Sequence, residues 1–236
     1  MGSAMSKIIF ITGTDTGVGK TVLTALLLRH LREQGINALA MKPFCSGGRG
    51  DAELLQALQD NEVTLGEVNP FYFTAPLAPW VAVNQEKGRK QIVLKTVLQR
   101  ISKLKERCDV LLIEGSGGLL VPLGARFTIV DLIAGLRCKV LLVGKNQLGT
   151  INHTLLSINA LQNVGCKADA IVLMNVKKTD FSARTNLDAI QKWVNCERRL
   201  RVIAVPYMGE QASSLRGIQR VEKKLKKVLA GLVRLI

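Results

Sequence analysis

Apolar residues recur along this chain at two spacings. Lys7 to Thr12 is a short, nearly unbroken apolar run, whereas Thr21 to Arg32 repeats leucine at helical intervals until Gly35 offers a stop. A glycine-rich turn separates the two, so the segment predicts strand, loop, helix. A second apolar run, Ala38 to Met41, ends in Lys42-Pro43, and Asp51 opens a helix through Leu58. From Ile92 the alternation resumes with a basic amphipathic helix, the run Val110 to Ile113, a glycine-rich loop, a helix over Ile129 to Leu136 and the run Val140 to Val143. A helix over Thr150 to Gln162 ends at Gly165, and runs at Ala170 to Met174 and Val202 to Val205 precede a final basic helix. Short continuous strands separated by helices predict an α/β fold: a mostly parallel sheet with helices on both faces, because each crossover lays a helix on one face.

The stretch from Asn61 to Gly88 breaks this pattern. Its prolines (Pro70, Pro76, Pro79) and aromatics (Phe71, Tyr72, Phe73, Trp80) predict an irregular but ordered segment that lines a site, since a linker is polar and aromatic-poor. Repeats and low-complexity stretches are absent.

Composition narrows the class. At 236 residues and 47% apolar content, one core suffices, and a single domain over 6–236 is expected. Residues 1–5 read as a cloning scar, because Met1-Gly2-Ser3-Ala4 precede a second methionine, Met5. No stretch approaches the roughly 18 apolar residues of a membrane span, and no signal-like start is visible, so a cytoplasmic protein without membrane contact is expected. Cys45, Cys108, Cys138, Cys166 and Cys196 form no C-x-x-C pair, which predicts reduced thiols; Cys45 has no base beside it in sequence and reads as filler.

The formal charge of +15 admits nucleic acid, anionic lipid or another polyanion as partner. The excess concentrates in Lys87 to Arg107 and from Arg198 through Lys223, Lys224, Lys226 and Lys227, where cations alternate with apolar residues at helical spacing. That pattern predicts solvated helix faces, and with 4% aromatic residues base-stacking platforms are scarce, so no nucleic-acid partner is expected.

The strongest chemical signal is Gly13-Thr14-Asp15-Thr16-Gly17-Val18-Gly19-Lys20-Thr21, which fits the phosphate-binding loop G-x-x-x-x-G-K-[ST] between a strand and a helix. The glycines let successive backbone N–H groups turn inward around phosphate oxygens, and the helix N-terminus adds partial positive charge. Lys20 is expected on the β- and γ-phosphates, and the Thr21 hydroxyl on Mg²⁺. A carboxylate and a lysine at neighbouring strand ends open onto the sheet's carboxyl edge, where ligands bind. Asp51 and Glu114 with Thr21 are therefore expected to hold Mg²⁺, and Lys20 and Lys42 to bracket a transferring phosphoryl group. Gly149-Thr150-Ile151-Asn152 opens a helix whose free N–H groups suit a carboxylate. His30 and His153 lie on predicted helices without paired ligands and read as packing or surface residues. Met174-Asn175-Val176-Lys177-Lys178 lacks the guanine-reading N-K-x-D pattern, so ATP is expected rather than GTP.

Gly13-Thr14-Asp15-Thr16 before Gly-Lys-Thr resembles the dethiobiotin synthetase family. Lys42-Pro43 with Ser46-Gly47 resembles that family's K-P-x-x-S-G, Asp51 its metal-binding aspartate, and Glu114-Gly115-Ser116-Gly117-Gly118 its E-G-x-G-G. Asn69-Pro70, Pro79, Pro122-Leu123 and Leu148-Gly149 with Ile151-Asn152-His153 extend the similarity over nearly the whole chain. The resemblance implies a P-loop NTPase-like fold and a cyclo-ligase that closes the ureido ring of 7,8-diaminopelargonate with CO₂ and ATP, as part of biotin biosynthesis. It places Thr16, Lys42, Ser46, Pro79 and Gly117 beside the substrate, with Lys20, Lys42, Thr16 and Ser46 catalytic. It puts Asn175 and Pro206 at the adenine, and Thr150, Ile151 and Asn152 at the partner's site in a homodimer. Two departures stand out: Gly17 replaces an acidic residue of some relatives, and Trp80 stands where many have histidine, so that it is expected to narrow the diamine channel or pack on the diamine's chain.

Two readings compete. A deviant P-loop partition ATPase, acting on DNA or membrane, carries an extra lysine early in the loop, where this chain has Thr14-Asp15. A cobyrinate-type amide synthetase needs a further glutamine-hydrolysing domain, for which the chain has no room.

Overall fold

The computed structural model describes residues 6–86, 91–195 and 200–236. The N-terminal residues 1–5, Cys196, Arg198 and the start of the basic segment at Lys87 lie outside the described residues. The first unit is strand β1 (Lys7–Gly13), the phosphate-loop turn and helix α1 (Lys20–Glu33), followed by β2 (Ala38–Met41), β3 (Phe44–Ser46) and α2 (Gly50–Ala57). The aromatic- and proline-rich middle forms short elements rather than irregular chain: α3 (Leu65–Val68), β4 (Phe71–Phe73) and α4 (Pro79–Gln85). A capping box at Thr64 and Glu67 starts α3, and Pro79 sits in the first turn of α4, where its missing N–H costs nothing.

There follow α5 (Leu94–Lys105), β5 (Val110–Gly118), the hairpin β6 (Pro122–Gly124) and β7 (Phe127–Thr128), α6 (Ile129–Leu136), β8 (Lys139–Asn146) and α7 (Thr150–Asn163). Then come β9 (Ala170–Asn175), α8 (Asn186–Asn195), β10 (Arg201–Val205) and α9 (Leu215–Leu235). Six strands form one parallel sheet in the order β10-β9-β8-β1-β5-β2. In β1 every residue after Lys7 is buried. Successive strand residues face opposite sides, so both faces of the sheet are covered. The chain moves outward to β2 after β1 but crosses to β8 after β5. The order therefore reverses around β1, and a crevice opens at its carboxyl end.

Strand β5 runs through Gly118, where a glycine-rich loop was expected, and Gly13 pairs with Gly118. Absent side chains permit this close approach: a Cβ on Gly115 would meet Phe10 Cε1 at 3.0 Å, and one on Gly118 would meet the Thr14 carbonyl oxygen at 3.2 Å. Helix α8 has apolar residues Leu187, Ile190 and Val194 at helical spacing, a signal the reading of the sequence passed over. The basic helices behave as expected. Helix α5 buries Val97, Ile101 and Leu104, and α9 buries Ile218, Val221, Leu225, Leu229 and Leu232, leaving Lys103, Lys223, Lys224 and Lys227 exposed. His30 is buried against α9, its Nδ1 2.9 Å from Glu222 Oε1, while His153 is exposed. Among the described residues no helix is long and apolar enough to cross a membrane.

Candidate active site

Parallel register brings the charged groups together. Met41 of β2 pairs with Ile113 of β5, so the next residues, Lys42 and Glu114, lie side by side at the carboxyl edge. Lys42 Nζ donates to Glu114 Oε1 at 2.8 Å and forms a second ion pair with Asp51 at the start of α2. Thr21 Oγ1 donates to the same Glu114 oxygen at 2.6 Å. Glu114 Oε2 is buried and makes no hydrogen bond among the described residues. Asn69 secures the end of β2, its Nδ2 donating to Lys42 O at 2.9 Å, which accounts for the Asn69-Pro70 motif. Burial pulls the Lys42 ammonium down, and the carboxylates of Glu114 and Asp51 more than offset this, leaving it above the ordinary lysine range.

Lys20 is buried at the first position of α1. Its Nζ donates to Asp15 O at 2.8 Å and Gly117 O at 2.9 Å, tying the phosphate loop to β5. Burial pushes this ammonium down to about 8 against the pull of Glu114. Gly17 (φ 69°) and Gly19 (φ 99°) adopt the left-handed backbone that the loop requires. Asp15 does not join the charged cluster; its Oδ1 accepts from Thr16 N at 2.6 Å within the loop.

These groups line a cleft of about 640 Å³ that includes Thr16, Lys20, Thr21, Lys42, Ser46, Asp51, Pro79, Glu114 and Gly117. Ser116 Oγ donates to Phe44 O at 2.6 Å and so fastens the strand carrying Ser46 to the cleft wall. Pro76, Leu77 and Ala78 from the middle segment form another wall, as expected of it. Trp80 does not line this cleft and is exposed. Cys45 is buried in the wall, and desolvation raises its thiol to about 11, which makes it a poor nucleophile near neutral pH.

A smaller cavity of about 190 Å³ adjoins the loop at Gly17, Gly19 and Val22 and is closed by Lys145, Met174, Asn175, Tyr207 and Met208. Asn175 is one of its lining residues. Pro206 is not: it is exposed, and the next three residues, Tyr207 to Gly209, form that wall. Thr150, Ile151 and Asn152 are not among the residues that line either cavity; Thr150 is buried, and Ile151 and Asn152 are exposed at the start of α7. A wider cleft of about 770 Å³ lies at the opposite, amino edge of the sheet and contains none of the motif residues.

A family model described as an AAA domain matches residues 7–211. The ATP-dependent dethiobiotin synthetase BioD of Akkermansia muciniphila is 38% identical over 184 residues, covering 78% of this chain and 85% of that protein. The enzyme of the same name from an Anaeromyxobacter species is 43% identical over 176 residues, covering 73% and 78%. The chain belongs to the dethiobiotin synthetase family. A third member of that family, from Methanocaldococcus jannaschii, is 37% identical over 178 residues and covers 74% of this chain and 81% of its own. A ParA family ATPase from Chlorobium tepidum superimposes with a TM-score of 0.61 at 15% identity, covering 96% of this chain and 97% of its own, and shares the P-loop NTPase-like fold. Lys20, Lys42, Asp51 and Glu114 converge in the cleft.

Proposed function

We propose that this chain is an ATP-dependent dethiobiotin synthase, a cyclo-ligase that acts on 7,8-diaminopelargonate in biotin biosynthesis. The observation that carries the reading is the cluster of Lys42, Thr21 and Asp51 around the buried Glu114, opening on the same cleft as the phosphate-loop lysine.

The chemistry asks for such a cleft. Addition of CO₂ to one amine of the diamine gives a carbamate and releases a proton. A carbamate is a poor electrophile because its leaving group would be oxide. Transfer of the γ-phosphoryl group of ATP to a carbamate oxygen makes phosphate the leaving group and yields ADP. The second amine then attacks the carbonyl carbon, the C–O bond to phosphate breaks, and the ring nitrogen loses a proton. In our reading Lys20 exchanges its two neutral carbonyl acceptors for phosphate oxygens, which are stronger acceptors. Lys42 offsets charge on the carbamate and the transferring group. The hydroxyls of Thr16 and Ser46 orient carbamate and diamine, Pro79 and Gly117 shape the walls, and exclusion of water protects the mixed anhydride from hydrolysis.

Mg²⁺ fits the residues present. Glu114 Oε2 is an orphaned buried acceptor, and a cation, the Lys42 ammonium, already bridges Glu114 and Asp51. Thr21, Asp51 and Glu114 would hold the ion, with waters and phosphate oxygens completing its shell. When bound, it supplies neutralisation of phosphate charge.

The same reading includes a homodimer. The helix α7 N-terminus lies outside its own cleft, and Leu148, Ile151 and Leu156 are exposed around it. In the dimer Thr150, Ile151 and Asn152 grip the carboxylate of the diamine bound to the partner. Incubation with ATP, Mg²⁺, bicarbonate and 7,8-diaminopelargonate tests the function: stoichiometric phosphate and dethiobiotin, lost on omission of any component, are expected. Phosphate release without dethiobiotin would overturn it.

A further inference from the structure

A buried chain of amides stands behind the smaller cavity. Asn146 ends β8 and Asn175 ends β9, and the parallel register sets them opposite each other. Asn146 Nδ2 donates to Asn175 Oδ1 at 2.8 Å and to Ala183 O at 3.0 Å. Asn186 Nδ2, at the start of α8, donates to Asn146 Oδ1 at 3.1 Å and to Gln147 O at 3.2 Å. Asn146 and Asn186 are each 3% exposed, so bulk water does not substitute for these partners.

The two ends of a primary amide match in shape and are opposite in hydrogen bonding. Here two backbone carbonyls decide which end goes where. Gln147 O only accepts, so Asn186 must turn its NH₂ toward it and toward Asn146. Ala183 O only accepts, so Asn146 must turn its NH₂ there as well, and the atom of Asn175 facing that NH₂ has to be the carbonyl oxygen. Reversing Asn175 would set two NH₂ groups against each other and leave a buried donor unsatisfied. The NH₂ of Asn175 is therefore the end left for whatever enters the cavity that Asn175 lines.

We propose that Asn146 is a positioning residue for nucleotide-base recognition: by anchoring the oxygen of Asn175 it makes the base site present an NH₂ donor to an acceptor atom of the base, and so sets base preference. This deepens the reading of the cleft as an ATP site and rests on it.

Affinities for ATP and GTP, measured by calorimetry without diamine, test the proposal in wild type, Asn146→Asp, Asn175→Ala and the double variant. Asn146→Asp keeps the shape and replaces the donor by an acceptor, giving up the bond to Ala183 O as well, so Asn175 reverses and shows its oxygen to the base. ATP affinity is expected to fall about tenfold, the loss of one oriented hydrogen bond, and the ATP:GTP affinity ratio to change by a similar factor. In the Asn175→Ala background, Asn146→Asp should change either affinity by less than about twofold. An unchanged ratio in folded Asn146→Asp protein, or a loss that persists without the Asn175 side chain, overturns the proposal. Asn175→Asp gives a second route should Asn146→Asp not fold. It keeps an oxygen for Asn146 and alters only the pocket-facing atom, so the melting temperature should hold while ATP affinity drops; a lowered melting temperature would show that the NH₂ faces inward. Because these readouts need no turnover, absence of dethiobiotin alongside a shifted ratio defeats only the ligase reading, whereas product formed with an unshifted ratio in Asn146→Asp defeats only this inference.

Discussion

Lys42, just past the end of β2, and Glu114, within the neighbouring parallel strand β5, form an ion pair, Nζ to Oε1 2.8 Å, with the Glu114 side chain wholly buried. Removing one member of a buried pair leaves the other charge unpaired, at a cost of roughly 3–5 kcal/mol. Lys42→Ala should therefore lower the melting temperature as well as reduce turnover by at least about tenfold. Combining Lys42→Met with Glu114→Gln removes both charges and should recover most of the stability without turnover. Thermal melts and a dethiobiotin assay on the same preparations separate the two effects; a single Lys42→Ala variant with wild-type turnover would contradict the role given to this lysine.

This pair also shows what the sequence did and did not reveal. Lys42 and Glu114 were legible singly, because each follows an apolar run; Lys42 does stand just past the end of β2, whereas Glu114 lies inside β5. Their contact depends on β2 lying next to β5, a long-range pairing that no local pattern encodes. The phosphate loop was legible in full because strand, glycine turn and helix are contiguous and each obeys local rules. Gly115 to Gly118 misled for the opposite reason: glycine usually marks a loop, but here it lets β5 run on against β1. Asn146 and Asn186 gave no signal, since a buried amide is distinguished from a surface one only by its neighbours.

Gly117 offers a test of the strand's role in aiming Lys20. Its φ is 67°, and an added Cβ would stand 2.7 Å from Val121 Cγ2, so alanine there is strained by backbone and by contact. The left-handed conformation alone costs about 1–2 kcal/mol for a residue with a Cβ. Gly117→Ala should lower stability by at least that much and displace the carbonyl that receives Lys20. Adding Val121→Ala should relieve the contact but not the backbone strain, so turnover should recover only in part. Full recovery of turnover would show that the contact alone mattered.

The Cys45 thiol supplies a pH test. Burial raises it from 9.0 to about 11, so folding favours the neutral thiol. For a group whose pKa is raised by folding, the associated stability is complete below the unfolded value near 9 and is lost as pH rises through about 11. In urea melts the stability difference between wild type and Cys45→Ala should stay constant below pH 9, and wild type should lose stability faster than the variant between pH 9 and 11. Cys45→Ala should also remain an active ligase, since the thiol has no chemical part; loss of product by more than about tenfold at unchanged stability would give it one.

Mixed dimers decide whether α7 serves its own cleft or its partner's. Lys20→Ala disables the phosphate loop and leaves α7 intact, while Asn152→Ala leaves the loop intact and weakens the α7 grip on the substrate carboxylate. Each variant alone should be nearly inactive. In a heterodimer of the two with shared sites, one cleft combines the intact loop of one subunit with the intact α7 of the other, and the second cleft carries both defects. Random exchange of equal amounts places half of the subunits in heterodimers, so about a quarter of wild-type activity should return on mixing. If α7 instead served its own subunit, every cleft would keep one defect and mixing would restore nothing.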